Sequence, residues 1–387
     1  MHYSSTIFSQ LLAFVPKNQL RQFVGQHNAN RYVKKMTVWN QFVLLMYAQA
    51  TGKESLREIE TSLKIHPQIW NHLGIKSVAR STLARANDRR PYQLFESLFY
   101  ALFAECMHIT ATRSFSFENP LYSLDATIIN LCLSLFNWAT YSTKKGAVKM
   151  HVLLNNQTSI PELITISTGN VADIAQAKKM TLSIPPSSIV VFDRGYVDFL
   201  WWKALDAQGL FFVTRTKQNM QVIVSSTNMA VGDGILVDEH VWVGDPCKNV
   251  YGKEMRRVLY MDAIQGELEF ITNNFTLTAL EIALVYKERW QIELFFKWIK
   301  QNLTIKTFLG TSKNAVLSQI WIAMIYYLLL SYLKFQTKSD RSLLELSWMI
   351  KEGLMSRRPL IDLLSLTPAT VSKILDPELW QLPLDGV

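Results

Sequence analysis

Cysteine is scarce: Cys106, Cys132 and Cys247 are the three in 387 residues. They are odd in number and too widely spaced for metal-ligand pairs. Neither a thiolate metal centre nor a disulfide framework is expected, and a reducing cytosol suits the chain. The first residues, MHYSSTIFSQLLAFVPKNQ, lack a basic stretch before an apolar run and a small-residue cleavage site. No secretory leader is expected from them. No internal repeat or low-complexity linker is present, which sets aside repeat architectures. Acid is short against base: Asp+Glu number 31 and Lys+Arg 40, a net charge of +9. That balance favours an acidic partner such as nucleic acid. Hydrophobic residues make up 49% of the chain, enough for a large core in two or three domains.

Long uncharged runs are also rare. Ala315 to Leu333, AVLSQIWIAMIYYLLLSYL, has no charge over 19 residues and is just long enough to span a bilayer. It carries Gln319, two serines and three tyrosines, and no second run of similar quality accompanies it. A buried core helix is expected there, with no membrane partner.

Residues 1 to about 115 read as helical. Val38–Ala50 is an apolar helical run, and Ser55-Leu-Arg-Glu58 is a capping box opening a helix through Leu63. His66–His72 forms a short second helix closed by Gly74; Ser81 caps STLARANDRR, which Pro91 ends. Arg80, Arg85, Arg89 and Arg90 cluster on that last element, as on a DNA-reading helix or on an ordinary solvated face. From about residue 118 the pattern changes. Leu121–Leu131, Val148–Leu154 and Leu163–Ser167 read as successive antiparallel strands, and Asn170–Met180 as a helix. Ser188-Ile-Val-Val-Phe-Asp193-Arg-Gly-Tyr196 reads as a buried parallel strand, whose carboxyl end is where open α/β sheets hold ligands. Three meandering strands, a helix, another strand and a helix is the order of a ribonuclease-H-like sheet. Residues 210–275 then hold only strands, read as an inserted β subdomain. Helices follow to residue 387. The expected layout is a helical N-terminal DNA-binding domain (1–115), an α/β catalytic domain (116–335) with its insertion (210–275), and a helical C-terminal tail (336–387).

Thr278-x-x-Glu281 caps a helix through YKERWQIELFFKWIK, residues 286–300. On one continuous helix, Tyr286, Arg289, Glu293 and Lys300 fall within an arc of about 60°. Apolar residues cover most of the remaining surface, so this helix inverts the usual pattern of a wide polar face and one apolar stripe. Unpaired buried charge is too costly to keep. The stripe therefore faces a charged partner, or forms an internal ladder through the Arg289–Glu293 pair. Two further carboxylates, Asp125 and Asp193, lie in apolar strands. Three converging carboxylates repel one another unless a cation joins them, and oxygen donors suit Mg²⁺. His151, beside Lys149 on a strand, reads as a satisfied core residue rather than a ligand.

These residues resemble the DDE transposases of bacterial insertion sequences, specifically the IS-four family with its Tyr-x2-Arg-x3-Glu-x6-Lys signature. Tyr286, Arg289, Glu293 and Lys300 fill that pattern without gaps, and Asp125 in SLDAT and Asp193 in FDRGY match the contexts of the family's two aspartates. The β-rich block before Glu293 matches the family's strand insertion, and the first ~75 residues look like the helical domain of one of its branches. The resemblance implies a cytoplasmic, nucleoid-associated enzyme of cut-and-paste transposition. Asp125, Asp193 and Glu293 would hold two Mg²⁺ ions, for which Mn²⁺ substitutes. Water would nick the transposon end, and the freed 3′-hydroxyl would form a hairpin and later attack target DNA. Tyr286, Arg289, Lys300 and Arg194 would contact phosphates of double-stranded DNA, both terminal inverted repeats and target, in a homodimeric synaptic complex. A flipped base would stack on an aromatic side chain, with Trp290 and Trp242 the candidates among 11 tryptophans. Two alternatives stay open: an inactive copy that only binds DNA, and a nuclease of the same fold without strand transfer.

Overall fold

The computed structural model describes residues 5–65, 67–75, 78–106, 115–142, 145–245 and 249–365. Helices come first: α1 (Ile7–Ala13), α2 (Lys17–Gln26), α3 (Val38–Thr51), α4 (Leu56–Ile65), α5 (Pro67–His72), α6 (Arg80–Arg89) and α7 (Gln93–Cys106). Strands β1 (Leu121–Leu131), β2 (Thr140–Ser142), β3 (Lys145–Asn155) and β4 (Ile160–Thr168) follow. Then come α8 (Asp173–Met180), β5 (Ile189–Val191), α9 (Phe199–Ala207) and β6 (Phe211–Arg215). The strand-rich stretch continues as β7 (Val222–Thr227), β8 (Ile235–Asp245), β9 (Asn249–Val250), β10 (Met255–Asp262) and β11 (Gly266–Thr272). Last are α10 (Ala279–Glu288), α11 (Trp290–Asn302), α12 (Lys313–Gln336), α13 (Leu343–Gly353) and α14 (Leu360–Leu364). Contacts divide the described residues into those of Met1–Ile109 with Asn302–Val387, and those of Thr110–Gln301.

In the helical unit, α12 is the core element. It packs on α7, α3, α6 and α13, and its apolar run is buried, with Trp321 against Phe99 at 5.5 Å between ring centroids. The uncharged stretch is thus a core helix, as its amide content suggests. Gln319 spends both ends inside the fold: its Oε1 accepts from Leu309 N at 2.9 Å, and its Nε2 donates to Thr307 O at 2.8 Å. This arrangement differs from the three-part layout read along the chain. Residues 313–336 join the N-terminal helices because an all-round apolar helix needs cover on every side. The C-terminal tail is described to residue 365, where α13 and α14 belong to this same unit; its remainder lies outside the described residues.

Several local expectations hold. The apolar run forms α3, and Ser55 caps α4, with Glu58 N donating to Ser55 Oγ at 3.2 Å. Ser81 does not cap α6, which starts one residue earlier after Ala79. Arg90 also departs from expectation. Rather than sharing an exposed face with Arg80, Arg85 and Arg89, it is buried. Its guanidinium donates to Thr37 O at 3.1 Å, to Gln41 Oε1 at 2.9 Å and to Met36 O. Its donors tie the start of α3 to the end of α6, so Arg90 is withdrawn as a DNA contact. Burial lowers its pKa to about 10, still charged at neutral pH.

The second unit is built on one sheet, in the order β2-β3-β1-β5-β6-β11-β10-β8-β7, with β4 on β3 and β9 on β8. β1 and β3 are antiparallel, as are β3 and β4, whereas β5 runs parallel to both β1 and β6. The stretch 210–275 is not a separate layer. β6 belongs to the parallel centre, and its open edge is taken by β11, antiparallel, after which β10, β8 and β7 extend the same sheet. An unpaired strand edge carries a row of unsatisfied backbone groups, and joining the sheet removes it. One apolar cluster, with Phe192, Trp201, Trp202 and Phe212, fills one side of the central strands. Another, with Leu121, Ile189, Val191, Ile282 and Val285, fills the other.

Arg90→Ala should lower stability to urea by about 3 kcal/mol, because it leaves Gln41 and two backbone carbonyls without their buried donor. Arg85→Ala, on an exposed position, should stay within about 0.5 kcal/mol of wild type. Equal effects would contradict the distinction between the two arginines.

Candidate active site

Side-chain alternation decides where the two aspartates point. Tyr122 and Leu124 of β1 lie in the same apolar cluster as Val190 and Phe192, on the α8 and α9 side. Leu121 of β1 lies with Ile189 and Val191 on the α10 side. Successive residues of a strand face opposite ways, so Ser123 and Asp125 face α10, and so does Asp193. The parallel register pairs Ser123 with Val191. Each aspartate lies two residues past that last pair, Asp125 still within β1 and Asp193 just beyond the end of β5.

Each carboxylate is locally held. Asp125 Oδ1 accepts from Ala126 N at 2.7 Å, and Asp193 Oδ1 accepts from Gly195 N at 2.7 Å. The third residue of Asp-Arg-Gly is small for a spatial reason: a Cβ on Gly195 would meet Asp193 Oδ1 at 2.8 Å. Asp125 is the most perturbed of the acidic group. Burial pushes its pKa up to about 6; the Ala126 N–H and Arg289 oppose this, while Asp193 and Glu293 add to it. Asp193 and Glu293 are therefore both within electrostatic reach of Asp125.

The polar stripe is not on one continuous helix. α10 ends at Glu288, Arg289 is its C-cap, and α11 begins at Trp290. Across this joint the bonding step shortens: Arg289 N donates to Tyr286 O at 3.1 Å, and Ile292 N to Arg289 O at 3.3 Å. Tyr286 is buried against Phe270, with ring centroids 4.8 Å apart, and the Arg289 guanidinium lies over its ring at 5.5 Å. Arg289 Nη2 donates to Glu293 Oε1 at 2.6 Å. The internal pair weighed from the sequence thus exists, and Asp125 still feels both of its members. Lys300 is half-buried further along α11.

A divalent ion is compatible with these donors in kind. They are hard oxygens, and Asp125, whose pKa is raised mainly by burial, also feels the negative charge of Asp193 and Glu293, which a cation would relieve. The set is not preassembled: among the described residues no three His, Cys, Asp or Glu side chains are grouped so as to hold an ion. Asp125 lies within β1 and Asp193 just past the end of its parallel neighbour β5, whereas the Glu293 carboxylate is engaged by Arg289.

Two clefts share Arg194 and Lys217, and one of them is bordered by Asp193. One, of 560 Å³, is lined by Asp193, Arg194, Gly195, Lys217, Gln218 and Asn219. The other, of 460 Å³, holds the basic Arg194, Arg215, Lys217 and Arg257 together with Glu267 and Glu269. Arg257 is paired with Glu239 at 2.7 Å, but Arg194, Arg215 and Lys217 have no carboxylate partner among the described residues. Arg215 and Lys217 were not singled out from the sequence. They follow the apolar run FFVT as Asp193 follows IVVF, at the carboxyl end of a parallel strand, and that placement is the signal that could have found them. In the helical unit, Arg80, Arg85 and Arg89 are exposed, and Arg80 shares a groove of 520 Å³ with Arg57. Trp290 and Trp242 are both substantially exposed. His151 is buried, 3.0 Å from Ser167 Oγ and 3.6 Å from Asp173, and is a core residue. Burial lowers its pKa to about 4; Asp173 opposes the shift and Lys149 adds to it.

Residues 116–329 match the transposase DDE domain family, and residues 3–76 match a domain of unknown function, DUF4372. A protein of Sinorhizobium fredii named as transposase y4zB is 34% identical over 73% of this chain and 79% of its own length. A protein of Geobacillus stearothermophilus named as a transposase for insertion sequence element IS5377 is 30% identical over 69% of this chain and 70% of its own. A Synechocystis protein named for element IS4SA is 26% identical over 75% and 82%. Among solved structures, the piggyBac transposase synaptic complex with hairpin DNA aligns over 97% of this chain and 80% of that one. Its TM-score of 0.45 and 8% identity are too low to carry an argument. The chain belongs to the DDE transposase family and is an enzyme that acts on DNA. Domains of this family depend on divalent metal.

The native pKa of His151, about 4, lies below its unfolded value of 6.5, so native protein holds it neutral. Its contribution to stability is present above pH 6.5 and is lost as pH falls from 6.5 through 4. Wild type should lose up to about 3 kcal/mol across that window through this group. His151→Gln should flatten the pH dependence of urea midpoints there; parallel curves would mean that His151 protonates freely in the native state.

Proposed function

We propose that this protein carries out cut-and-paste transposition of a bacterial insertion sequence, with Asp125, Asp193 and Glu293 as its metal-holding set. The observation that carries the reading is that Asp125 and Asp193 each lie two residues past the last paired residues of the parallel strands β1 and β5, with Asp193 and Glu293 both within electrostatic reach of Asp125. Meandering β1, β3 and β4 followed by parallel β5 and β6 are the order of a ribonuclease-H-like core. Two Mg²⁺ ions, for which Mn²⁺ substitutes, would supply activation of an attacking oxygen and stabilisation of a leaving one at phosphorus. The chain's own residues do the rest. Asp125 and Asp193 fix the donors from a rigid sheet. Glu293 completes the set when its carboxylate turns from Arg289, and the freed guanidinium then meets a DNA phosphate. Tyr286 gives Arg289 a flat surface on which to stay oriented. Lys300 continues the phosphate contacts along α11.

The two clefts extend the DNA path. Arg194, Arg215 and Lys217 neutralise backbone charge next to Asp193, and Gln218 and Asn219 add neutral hydrogen-bonding groups. In the helical unit, Arg80, Arg85 and Arg89 remain exposed for terminal-repeat contacts, without Arg90. A hairpin intermediate, a homodimeric synaptic complex and a nucleoid-associated, cytoplasmic location complete the reading.

The deciding experiment incubates the protein with DNA carrying the element's own ends, with and without Mg²⁺. Metal-dependent nicks, hairpins and joined products are expected. Asp193→Asn and Glu293→Gln should abolish them while end binding stays within about threefold, since neutralising an acidic residue beside phosphate does not weaken attraction. Parallel loss of binding would contradict the metal role. Cleavage without joined products would favour a nuclease, and binding without cleavage an inactive copy. The Arg215→Ala, Lys217→Ala double variant should lower the salt slope of end binding by about two counterions. An unchanged slope would remove both residues from the DNA path.

A further inference from the structure

Asn156 occupies the turn after β3 and is fully buried. Its backbone N–H donates to Leu121 O at 2.9 Å, extending the β1–β3 ladder by one bond. Its side-chain Nδ2 donates to Glu288 O at 2.8 Å. That oxygen belongs to the last residue of α10, where the helix breaks. In an unbroken helix it would accept from Ile292 N, four residues on. Here Ile292 N turns to Arg289 O instead. Ser123 Oγ of β1 approaches the same Glu288 oxygen at 3.5 Å. Two donors from the sheet therefore converge on the carbonyl released at the joint between α10 and α11.

The position of this latch matters more than its strength. From Ser123 to Asp125 is two residues, about 7 Å along a strand. From Glu288 to Glu293 is five residues, across the joint and the first turn of α11. The clamped carbonyl lies beside Ser123, and the carboxylates of Asp125 and Glu293 act on each other one step further along both elements. Fixing the joint fixes how far α11 slides along β1. A helix whose backbone bonding is interrupted has no internal means of setting that height, because the joint can swing about Arg289.

We infer that Asn156 is a positioning residue: through the Glu288 carbonyl it sets the height of α11, and so of Glu293, against Asp125. The inference rests on the proposed reading of Asp125, Asp193 and Glu293 as the metal-holding set. Asn156 itself touches neither DNA nor metal in this role. Groups that orient ligands without touching the metal govern affinity for it by about 10–100-fold when altered.

The test uses the full chain. Mn²⁺ binding is followed by electron paramagnetic resonance without DNA. In parallel, cleavage of end DNA is measured as a function of Mn²⁺ concentration, with end-DNA affinity and thermal melting as controls. Asn156→Ala should weaken Mn²⁺ binding and raise the half-saturating Mn²⁺ concentration for cleavage by about 10-fold or more. End-DNA affinity should stay within twofold of wild type, and excess Mn²⁺ should restore most of the rate. A merely structural bond would lower the melting temperature and leave metal saturation where it was; that result overturns the inference. If Asn156→Ala does not melt cooperatively, Asn156→Leu, which is similar in size and has no donor or charge, decides by the same two readouts. Asp125→Asn separates the two levels of the argument. Unaltered Mn²⁺ binding in that variant removes the reading of the metal site, and the latch with it. Lost binding there, with unaltered binding in the Asn156 variants, removes the latch alone.

Discussion

Parallel pairing of β1 with β5 is the constraint on which the candidate site depends. β5 is three residues long, yet it is held on both sides, by β1 and by β6, and its side chains are fully buried. Because strand side chains alternate, a slip of one residue would turn Asp125 toward the aromatic cluster of Phe192, Trp201 and Trp202. A charged carboxylate there would lose its hydration without gaining a partner. The apolar residues on either side of each aspartate thus do two things at once. They build the core, and they leave the aspartates a single face to occupy.

The third carboxylate arrives by a different route. Glu293 comes from a helix, and the helix is interrupted just before it. The interruption frees a carbonyl, and the sheet captures it through Asn156 and Ser123. It also places Arg289 between Tyr286, whose ring it covers, and Glu293, which it binds. In this state the positive charge of Arg289 offsets part of the repulsion among the carboxylates. Phosphate and metal would divide that pair between them, the guanidinium passing to the first and the carboxylate to the second. Electrostatic balance is retained in both arrangements, so the exchange leaves no isolated buried charge.

The β-rich stretch contributes to the site through its attachment. Since β11 joins β6 rather than forming a separate layer, the loop leaving β6 is held beside Asp193. Arg215 and Lys217 sit on that exit, and Arg194 on the exit of β5. Basic side chains at the carboxyl ends of neighbouring parallel strands face the same volume as the acidic ones. The proposed DNA path thus places Arg194, Arg215 and Lys217 beside the acidic residues, the distribution that holding a polyanion and a cation together would require.

Much of this was legible in the residues themselves. The alternating and continuous apolar runs marked β1, β3, β4 and the parallel β5, and Thr278-x-x-Glu281 marked the start of α10. The acidic residues inside those runs marked the candidate site, since burial of a carboxylate demands a reason. Family signature spacing selected Tyr286, Arg289, Glu293 and Lys300 among many charged residues. Local pattern could not find the break at Arg289, because no glycine or proline signals it and the sheet stabilises it through Asn156, 132 residues away. Nor could it separate Arg90 from its exposed neighbours, since their difference lies in carbonyls of Met36 and Thr37 that only folding brings near. The strand block likewise read as a subdomain because strand edges are matched in space, not along the chain. Short-range preference and spacing are properties of sequence. Which buried donor meets which released acceptor is a property of the folded chain, and it is set by long-range pairing.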